Sequence, residues 1–279
     1  VKKVHRSCKN MVIRDFIWRT YRWWTKEFES FIQTFHPNVL LFQAGDAPFM
    51  YHICQKTAKK FHLPIVVFNT ENYVLKRFMY SSIKRQTFWH WILKKRLSIA
   101  YKKLDRQACH FIYATEYLKN EHSKIYHCSS DVIYGSTDMP FLKEIPHENF
   151  VVSYIGNLGV GRHEPLIDVA QILLEISPNA RLKIFGKFTS ENIKDEVCAF
   201  PSVEYGGVIP YEQVSLEMQK SDLLLHCENK DRLQNLMGAF STKIADSIAS
   251  GIPFLVYADR RFPFVQYLEE NRAAFIAEN

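Results

Sequence analysis

Short apolar runs alternate with amphipathic stretches along the whole chain. Apolar runs of about four to eight residues bounded by turn residues predict buried strands, and apolar residues that recur every three or four positions predict helices. In the first half the predicted strands are NVLLFQAG, PIVVFNT, HFIYAT and DVIYGS. The opening segment RDFIWRTYRWWTKEFESFIQTF repeats its apolar residues at near-helical spacing, so it predicts one helix that Pro37 ends.

The alternation continues after residue 150 and is more regular there. The predicted strands are FVVSYIG, ARLKIFG, VEYGG, DLLLHC, PFLVYA and AAFIAE, with a loop expected from Glu228. Strands that alternate with helices of about ten to fifteen residues predict parallel, doubly wound sheets. The segment STDMPFLKEIPHEN carries two prolines and no apolar period. We therefore expect two α/β domains, at residues 1–138 and 150–279, joined by a linker at 139–149.

Composition and charge restrict the class of protein. No apolar run approaches the roughly 18–20 residues of a membrane span, and the first residues lack the apolar core of a secretory signal, so we expect a soluble cytoplasmic protein. The six cysteines include no CxxC pair and the histidines show no ligand spacing, so we expect no metal. Residues 1–145 hold 24 Lys and Arg against 11 Asp and Glu, whereas residues 146–279 hold 12 against 18. The net charges of +13 and −6 that follow suggest different partners for the two halves.

A glycine-rich loop follows the first predicted strand of the second half. YIGNLGVGRHEPL contains Gly156, Asn157, Gly159 and Arg162 between a strand and a helix. Glycines let the backbone approach a ligand, helix N–H groups attract an anion, and an arginine can bind a phosphate with two N–H groups. The pattern is equally compatible with a tight turn and a solvated arginine.

The segment STKIADSIASG predicts a second anion site. Ser241 or Thr242 can cap the helix while its free N–H groups and Lys243 face a phosphate. Asp246 lies one turn later on the same face and can accept hydrogen bonds from a ribose diol. The alternative is an ordinary ion pair between Lys243 and Asp246 on a solvated face.

Two further segments end strands with glycine and could line a nucleobase slot. They are IFGKF and VEYGGVIP, and the candidate residues are Gly186, Lys187, Val208 and Ile209. Simple turns explain these segments as well. Glu228 and the charged residues after it could meet a sugar or form a solvated loop.

These motifs resemble those of one enzyme family. YIGNLGVGR is similar to the first strand and glycine loop of the nucleotide-sugar-binding domain in GT-B glycosyltransferases of the family 4 type, and STKIADSIASGIPFLVYA is similar to their Lys-x-x-Glu-Ala-x-Ala-x-Gly-x-Pro-Val helix and strand. FQAGDAP, PIVVFNTENY, FIYATEYLKN and VIYGSTDM resemble later strands of the acceptor domain. The resemblance implies two Rossmann-like domains that face each other across a cleft. The family's first strand and final crossing helix are not evident, so we expect a chain incomplete at both ends.

The resemblance also implies roles for individual residues. The expected ligands of the donor diphosphate are Gly156, Asn157, Gly159, Arg162, Ser241, Thr242 and Lys243. Asp246 stands where the family commonly has a ribose-binding glutamate. Gly238 replaces a glutamate near the donor sugar, and the lysine that usually follows the arginine of the glycine loop is absent. The family needs no bound metal, and the nucleotide diphosphate-sugar is its donor substrate.

The resemblance implies a retaining glycosyltransferase of the hexosyltransferase type, with a glycan or lipid-linked acceptor in cell-surface polysaccharide biosynthesis. Glu71 and Asn72 follow a first-half strand and are candidates for the acceptor cleft, but the pattern favours loop caps over cleft residues. No catalytic base can be assigned. The two departures above favour the alternative of a non-catalytic binding or membrane-docking module.

The first half adds a basic and aromatic surface. WRTYRWWTK and the largely helical stretch from Tyr73 to Ala108 interleave Trp, Phe and Tyr with Lys and Arg. Such a surface can bind anionic lipid at the inner face of the cell membrane, where each basic residue contributes about 1 kcal/mol. Core aromatics with a solvated basic face explain the pattern equally well. No nucleic-acid motif accompanies the charge, so we expect no nucleic-acid partner.

Overall fold

The computed structural model describes residues 7–76, 87–143 and 145–278. The chain divides into two compact units, residues 1–134 and residues 135–279. Each unit consists of a parallel sheet and helices. No helix in the described part of the chain is long and apolar enough to span a bilayer.

The first unit contains a four-stranded parallel sheet. Its strands are β1 (Leu40–Ala44), β2 (Ile65–Asn69), β3 (His110–Tyr113) and β4 (Ser130–Val132), and its helices are α1 (Cys8–Thr20), α2 (Lys26–Phe35), α3 (Pro48–Phe61), α4 (Phe88–Asp105) and α5 (Glu116–Ser123). The strand order is β1-β2-β3-β4, so every crossover advances the sheet in one direction. The core of this unit is rich in aromatic residues and includes Tyr51, Tyr101 and Phe111, each at most 1% exposed.

The prediction of one opening helix was wrong, because α1 and α2 are separate. The chain leaves the helix at Tyr21, and the Thr25 hydroxyl accepts a hydrogen bond from the Phe28 N–H at 3.2 Å, which starts α2. Between them the Trp24 ring stacks on Phe61 of α3, with 6.2 Å between ring centroids. This packing favours a break over a continuous helix. The long helical stretch predicted from Tyr73 includes α4, and its residues 77–86 lie outside the described residues.

The second unit contains a six-stranded parallel sheet. Its strands are β5 (Val151–Ile155), β6 (Arg181–Phe185), β7 (Val203–Gly207), β8 (Leu223–Cys227), β9 (Phe254–Tyr257) and β10 (Phe275–Ala277). Its helices are α6 (His163–Ile176), α7 (Glu191–Cys198), α8 (Tyr211–Gln219), α9 (Leu233–Leu236), α10 (Thr242–Ser250) and α11 (Pro263–Glu270). The loop expected from Glu228 contains a turn of 3-10 helix at Lys230–Arg232 and then α9.

The strand order of the second sheet is β10-β9-β8-β5-β6-β7. The chain therefore winds outward from β5 to β7, returns to the other side of β5 and winds outward again from β8 to β10. This is a doubly wound Rossmann-like sheet, and its direction reverses between β5 and β8. Ligands of open α/β sheets bind outside the carboxyl ends of the strands at such a reversal.

The segment between the sheets packs on the second unit. The Leu142 N–H donates to the Ser250 carbonyl at 2.8 Å, and the Ile145 N–H donates to the Gln219 carbonyl at 2.8 Å. The predicted linker at 139–149 is thus held against the second unit, which begins at residue 135. The assignment of the two units to acceptor and donor remains a prediction.

Candidate functional site

A pocket of about 470 Å³ opens where the second sheet reverses direction. Side chains and backbone from the ends of β5, β6 and β8, and from α8 and α10, line it. It brings together these residues predicted from the sequence: Gly156, Asn157, Gly186, Lys187, Val208, Ile209, Thr242, Lys243 and Asp246. Gly159, Arg162 and Ser241 do not line the pocket. The site therefore joins segments about 90 residues apart in sequence at one edge of the sheet, as expected for carboxyl ends of parallel strands.

Lys243 lies against the glycine that ends β5. A side chain at Gly156 would overlap the end of the Lys243 side chain, so the absence of a Cβ lets the ammonium approach the strand end. The Gly156 N–H is held by the Phe185 carbonyl at 2.7 Å. Within the described parts of the chain, the ammonium makes no salt bridge or hydrogen bond. Burial, and then the nearby Arg162, lower the pKa of Lys243 from its ordinary value.

The start of α10 differs from the prediction. Ser241 occupies the N-cap position, but its hydroxyl makes no capping hydrogen bond. The Ile244 N–H, which a capping side chain would take, donates instead to the Ser241 carbonyl at 3.0 Å. Neither Ser241 nor the exposed Thr242 therefore caps the helix through its side chain. The first N–H groups of a helix have no intrahelical partner, so this end can still receive an anion beside Lys243.

Asp246 lies one turn further along α10 and also lines the pocket. Its Oδ1 accepts a hydrogen bond from the Thr137 hydroxyl and lies 3.4 Å from the Tyr211 hydroxyl. The alternative of a Lys243–Asp246 ion pair is not observed among the described residues. Thr137 lies within the segment VIYGSTDM, but neither it nor Tyr211 was predicted as a site residue, because no local spacing places either of them beside Asp246.

Arg162 is bound to a buried glutamate. Its Nε donates to Glu228 Oε2 at 3.0 Å and its Nη2 donates to Oε1, while Nη1 donates to the Asn157 carbonyl at 3.1 Å. The side chains of Arg162 and Glu228 are 13% and 6% exposed. Burial disfavours both charges, but their pairing raises the pKa of Arg162, and His226 together with Arg162 holds the pKa of Glu228 below its ordinary value. The pair is therefore ionised and nearly neutral as a unit.

The ion pair between Arg162 and Glu228 gives both residues a structural role that was not predicted. The sequence suggested that Arg162 would bind phosphate directly and that Glu228 belonged to a charged loop after a strand. In the structure Arg162 joins the glycine loop to the end of β8 across the reversal of the sheet. Much of its charge is already balanced, so Lys243 is the less compensated cation at this edge. Glu228 was a candidate from its position directly after a predicted strand, but its pairing with Arg162 was not predicted.

The candidate nucleobase residues line the other side of the pocket. Gly186 has φ of 152°, and a side chain there would overlap the carbonyl of Gly156. The Tyr205 hydroxyl donates to the Gly186 carbonyl at 2.8 Å, which holds this turn. Glycine is thus required where the ends of β5 and β6 approach each other.

The two first-unit candidates take part in loop structure. The Asn72 side chain is buried and accepts a hydrogen bond from the Leu75 N–H at 3.1 Å. Glu71 forms a salt bridge with Lys76, with 3.0 Å between Oε2 and Nζ. These contacts match the loop-cap alternative. Contact with an acceptor remains a prediction.

Across residues 7–76, 87–143 and 145–278, no group of three or more His, Cys, Asp or Glu is arranged to hold a metal ion.

Comparisons with known proteins agree on the fold. No protein-family model and no curated protein sequence matches the chain. Solved structures do match it. Sucrose-phosphate synthase from Thermosynechococcus elongatus superposes with a TM-score of 0.61 at 12% identity, over 95% of this chain and 66% of that one. TarM superposes with a TM-score of 0.63 at 11% identity, over 90% of this chain and 47% of that one.

A third similar structure is Anabaena HepE, solved in complex with UDP and glucose. Its TM-score is 0.55 at 16% identity, over 82% of this chain and 61% of that one. The protein has a GT-B type fold. The chain spans between 47% and 66% of the length of these three structures. At such low identity the likeness establishes the fold and its two Rossmann-like domains, and not an activity.

Proposed function

We propose that the protein is a retaining glycosyltransferase that transfers a hexose from a nucleotide diphosphate-sugar to a glycan or lipid-linked acceptor. One observation carries the proposal. The Lys243 ammonium, which has no ion-pair partner among the described residues, is held against Gly156 at the start of α10, and Asp246 lies one turn away in the same pocket. A cation beside a helix N-terminus suits a diphosphate, and a carboxylate at that distance suits a ribose.

The fold comparisons support this choice of ligand. HepE was solved with UDP and glucose, and a TarM structure was solved with UDP. In this chain the diphosphate would lie between Gly156, Asn157 and the first turn of α10. The nucleobase would lie beside Gly186, Lys187, Val208 and Ile209, which line the same pocket.

The proposed chemistry is electrostatic. Negative charge develops on the diphosphate as the bond to the sugar breaks, and a fixed ammonium in a half-buried site stabilises that charge without a metal. Lys243 supplies this charge. Three of the five N–H donors of Arg162 make the hydrogen bonds described above, which leaves two donors. Through Glu228, Arg162 also fixes the glycine loop. Gly159 acts in the turn of that loop, where its N–H donates to Asn157 Oδ1 at 2.8 Å.

Ligand-observed NMR tests the donor class with the whole chain against UDP, GDP, ADP and CMP and their common sugar conjugates. We expect binding of one nucleotide diphosphate, weakened about tenfold or more by Lys243→Ala, because a charge-assisted phosphate contact is lost. Lys194→Ala is the matched control, since Lys194 lies on the surface of the same unit and pairs with Glu191. Unchanged binding in Lys243→Ala would contradict the assignment.

A non-catalytic nucleotide-binding module is the competing proposal. Gly238, where the family commonly has a glutamate, and the missing glycine-loop lysine favour it. A donor sugar that binds but is neither hydrolysed nor transferred to any glycan or polyprenyl-phosphate acceptor would support this module. Release of the free nucleotide diphosphate from the sugar conjugate would support the enzyme.

We also propose that the first unit docks on anionic lipid, where a lipid-linked acceptor of polysaccharide biosynthesis would be found. Helix α1 exposes Phe16 and Ile17, and α4, which packs on α1, exposes Phe88 and Trp91. Asp15, the acidic residue of α1, is buried and forms salt bridges with Arg19 and Arg96. Helix α4 also exposes Lys95, Lys102 and Lys103, which form no salt bridge with a described residue. Exposed aromatic residues beside unpaired basic ones suit an anionic headgroup layer.

Vesicle flotation tests the lipid proposal. The whole chain is expected to float with vesicles that contain phosphatidylglycerol at low salt, and to remain unbound with phosphatidylcholine alone or at high salt. Equal flotation with both vesicle types, or none with either, would contradict it. Glu71 and Asn72 would then remain candidates for a soluble glycan acceptor.

A further inference from the structure

Residues 135–142, here called the strap, follow α10 from its first turn to its end. A Cβ added to Gly135 would lie 3.9 Å from the Thr242 methyl group. At the other end, the Phe141 ring lies against Gly251, and the Leu142 N–H donates to the Ser250 carbonyl at 2.8 Å. The strap thus runs beside the helix that carries Lys243 and Asp246.

The hydroxyl of Thr137 lies in the middle of the strap and is oriented from both sides. It accepts a hydrogen bond from the Met139 N–H at 3.0 Å and donates one to Asp246 Oδ1. A hydroxyl has one proton to donate, so an acceptor bond from the backbone leaves that proton directed at the carboxylate. The Tyr211 hydroxyl, at the start of α8, lies 3.4 Å from the same oxygen.

These contacts hold one oxygen of Asp246 and leave the other available. No described residue makes a hydrogen bond to Oδ2, and Asp246 lines the pocket. An aspartate has a shorter reach than the glutamate common in the family, so the direction of its carboxylate matters more. Two hydroxyl groups from different elements fix that direction in the absence of a ligand.

We infer that Thr137 is a positioning residue, which orients Asp246 so that the site distinguishes a ribose from a 2′-deoxyribose. This inference rests on the nucleotide site proposed above. Thr137 acts through Asp246 and contacts no ligand itself. Tyr211 assists from the other side with a longer contact, so its effect is expected to be smaller.

Calorimetric titration tests the inference, with UDP, GDP and ADP each paired with its 2′-deoxy counterpart. We expect the wild-type chain to bind the ribonucleotide about tenfold more tightly than the deoxynucleotide, because a hydrogen bond to a charged group is lost with the hydroxyl. Thr137→Val should bring the two affinities close together and leave the affinity for the deoxynucleotide unchanged. Thr137→Ser keeps the hydroxyl and should restore the preference.

The outcomes separate this inference from the proposed function. A Thr137→Val variant that still prefers the ribonucleotide overturns only the inference. A wild-type chain that binds none of the nucleotides removes the proposed function and the inference with it. A uniform loss of affinity for both nucleotides of a pair would show a merely structural role, and would also overturn the inference.

Hydrogen exchange gives a second test that needs no nucleotide. In the wild-type chain the Met139 amide is protected by the Thr137 hydroxyl, which Asp246 holds in turn. Thr137→Val and Asp246→Ala should both accelerate exchange of the Met139 amide, while the Leu142 amide, bound to the Ser250 carbonyl, should change little. Unchanged exchange at Met139 in Asp246→Ala would show that the hydroxyl is not held as described.

Discussion

The two units contain the same alternation of strand and helix but differ in strand order. In the first unit the order β1-β2-β3-β4 follows the chain, whereas in the second unit the winding reverses between β5 and β8. The pocket with the predicted nucleotide residues lies at that reversal. Adjacent helices on opposite faces leave the strand ends uncovered there, so the crossover pattern determines where a ligand fits.

Both units bury an ion-paired carboxylate, Asp15 in the first and Glu228 in the second, but the first unit also buries an imidazole. The second unit buries an ion pair, Arg162 with Glu228, at its site. The first unit buries a neutral group, His122, whose Nδ1 lies 3.1 Å from the Tyr101 hydroxyl among aromatic rings. A charge that must stay ionised and an imidazole that must stay neutral respond to acid over different pH ranges. Five predictions, from the largest expected effect to the smallest, test the differences between the two units.

Removal of the buried carboxylate should give the largest loss of stability. Glu228→Gln leaves the Arg162 charge without a counter-ion in a site where it is 13% exposed, so the free energy of unfolding should fall by about 3–5 kcal/mol. Urea unfolding followed by circular dichroism measures the change. Glu204→Gln is the control, because Glu204 pairs with Arg181 on the surface and should change little.

The same variant should alter the acid response. The pKa of Glu228 is lowered in the folded state from an ordinary value of 4.5, so its contribution is fully present above that value and is lost as pH falls through the folded pKa. Glu228→Gln should therefore flatten the loss of stability below about pH 4.5. An unchanged acid limb would contradict the ionised pair.

As pH falls, the first unit should begin to lose stability at a higher pH than the second unit does. Burial lowers the pKa of His122 from 6.5 to about 4, so its contribution is complete above pH 6.5 and is lost as protonation favours the unfolded chain toward pH 4. At 1.36 kcal/mol per unit this amounts to about 3 kcal/mol. His122→Gln should remove this component from the pH profile of urea unfolding, and the slope below pH 4 should remain.

A glycine substitution in the second unit should weaken nucleotide binding, whereas one in the first unit should not. Gly156→Ala introduces a methyl group that overlaps the Lys243 side chain, so the ammonium must move and nucleotide affinity should fall about tenfold. Gly45→Ala is the matched control in the first unit, since an added Cβ there meets nothing within 4 Å. Equal affinity in the two variants would show that Lys243 need not approach Gly156.

The smallest effect is expected for the binding of the first unit to anionic lipid. The Lys95 ammonium lies 5.0 Å from the centroid of the exposed Trp91 ring on α4. Lys95→Ala should lower the partition into phosphatidylglycerol vesicles about fivefold, because one basic residue near the surface is lost. Lys194→Ala in the second unit should not change it. A larger effect of Lys194→Ala would place the lipid surface on the other unit.

Most elements were predictable because their signals are local. The strand of the glycine loop, the helix that begins at Thr242 and the strand that follows it were all predicted from apolar spacing and turn residues. The break between α1 and α2 was missed, because the contact of Trp24 with Phe61 that favours it lies in another helix. The capping role of Ser241 was also wrong, since a backbone carbonyl took the N–H that its hydroxyl could have accepted.

By itself the sequence determined the α/β class, the two sheets and the glycine positions at the ends of β5 and β6. The class and the sheets follow from periodicity, and glycine directly after a strand is typical of a turn where another group approaches the backbone closely. Only the tertiary structure decided the partners within the site. Arg162 meets Glu228 across 66 residues, and Thr137 meets Asp246 across 109. Such pairs depend on strand order and on the path of the strap, and no local spacing encodes either of them.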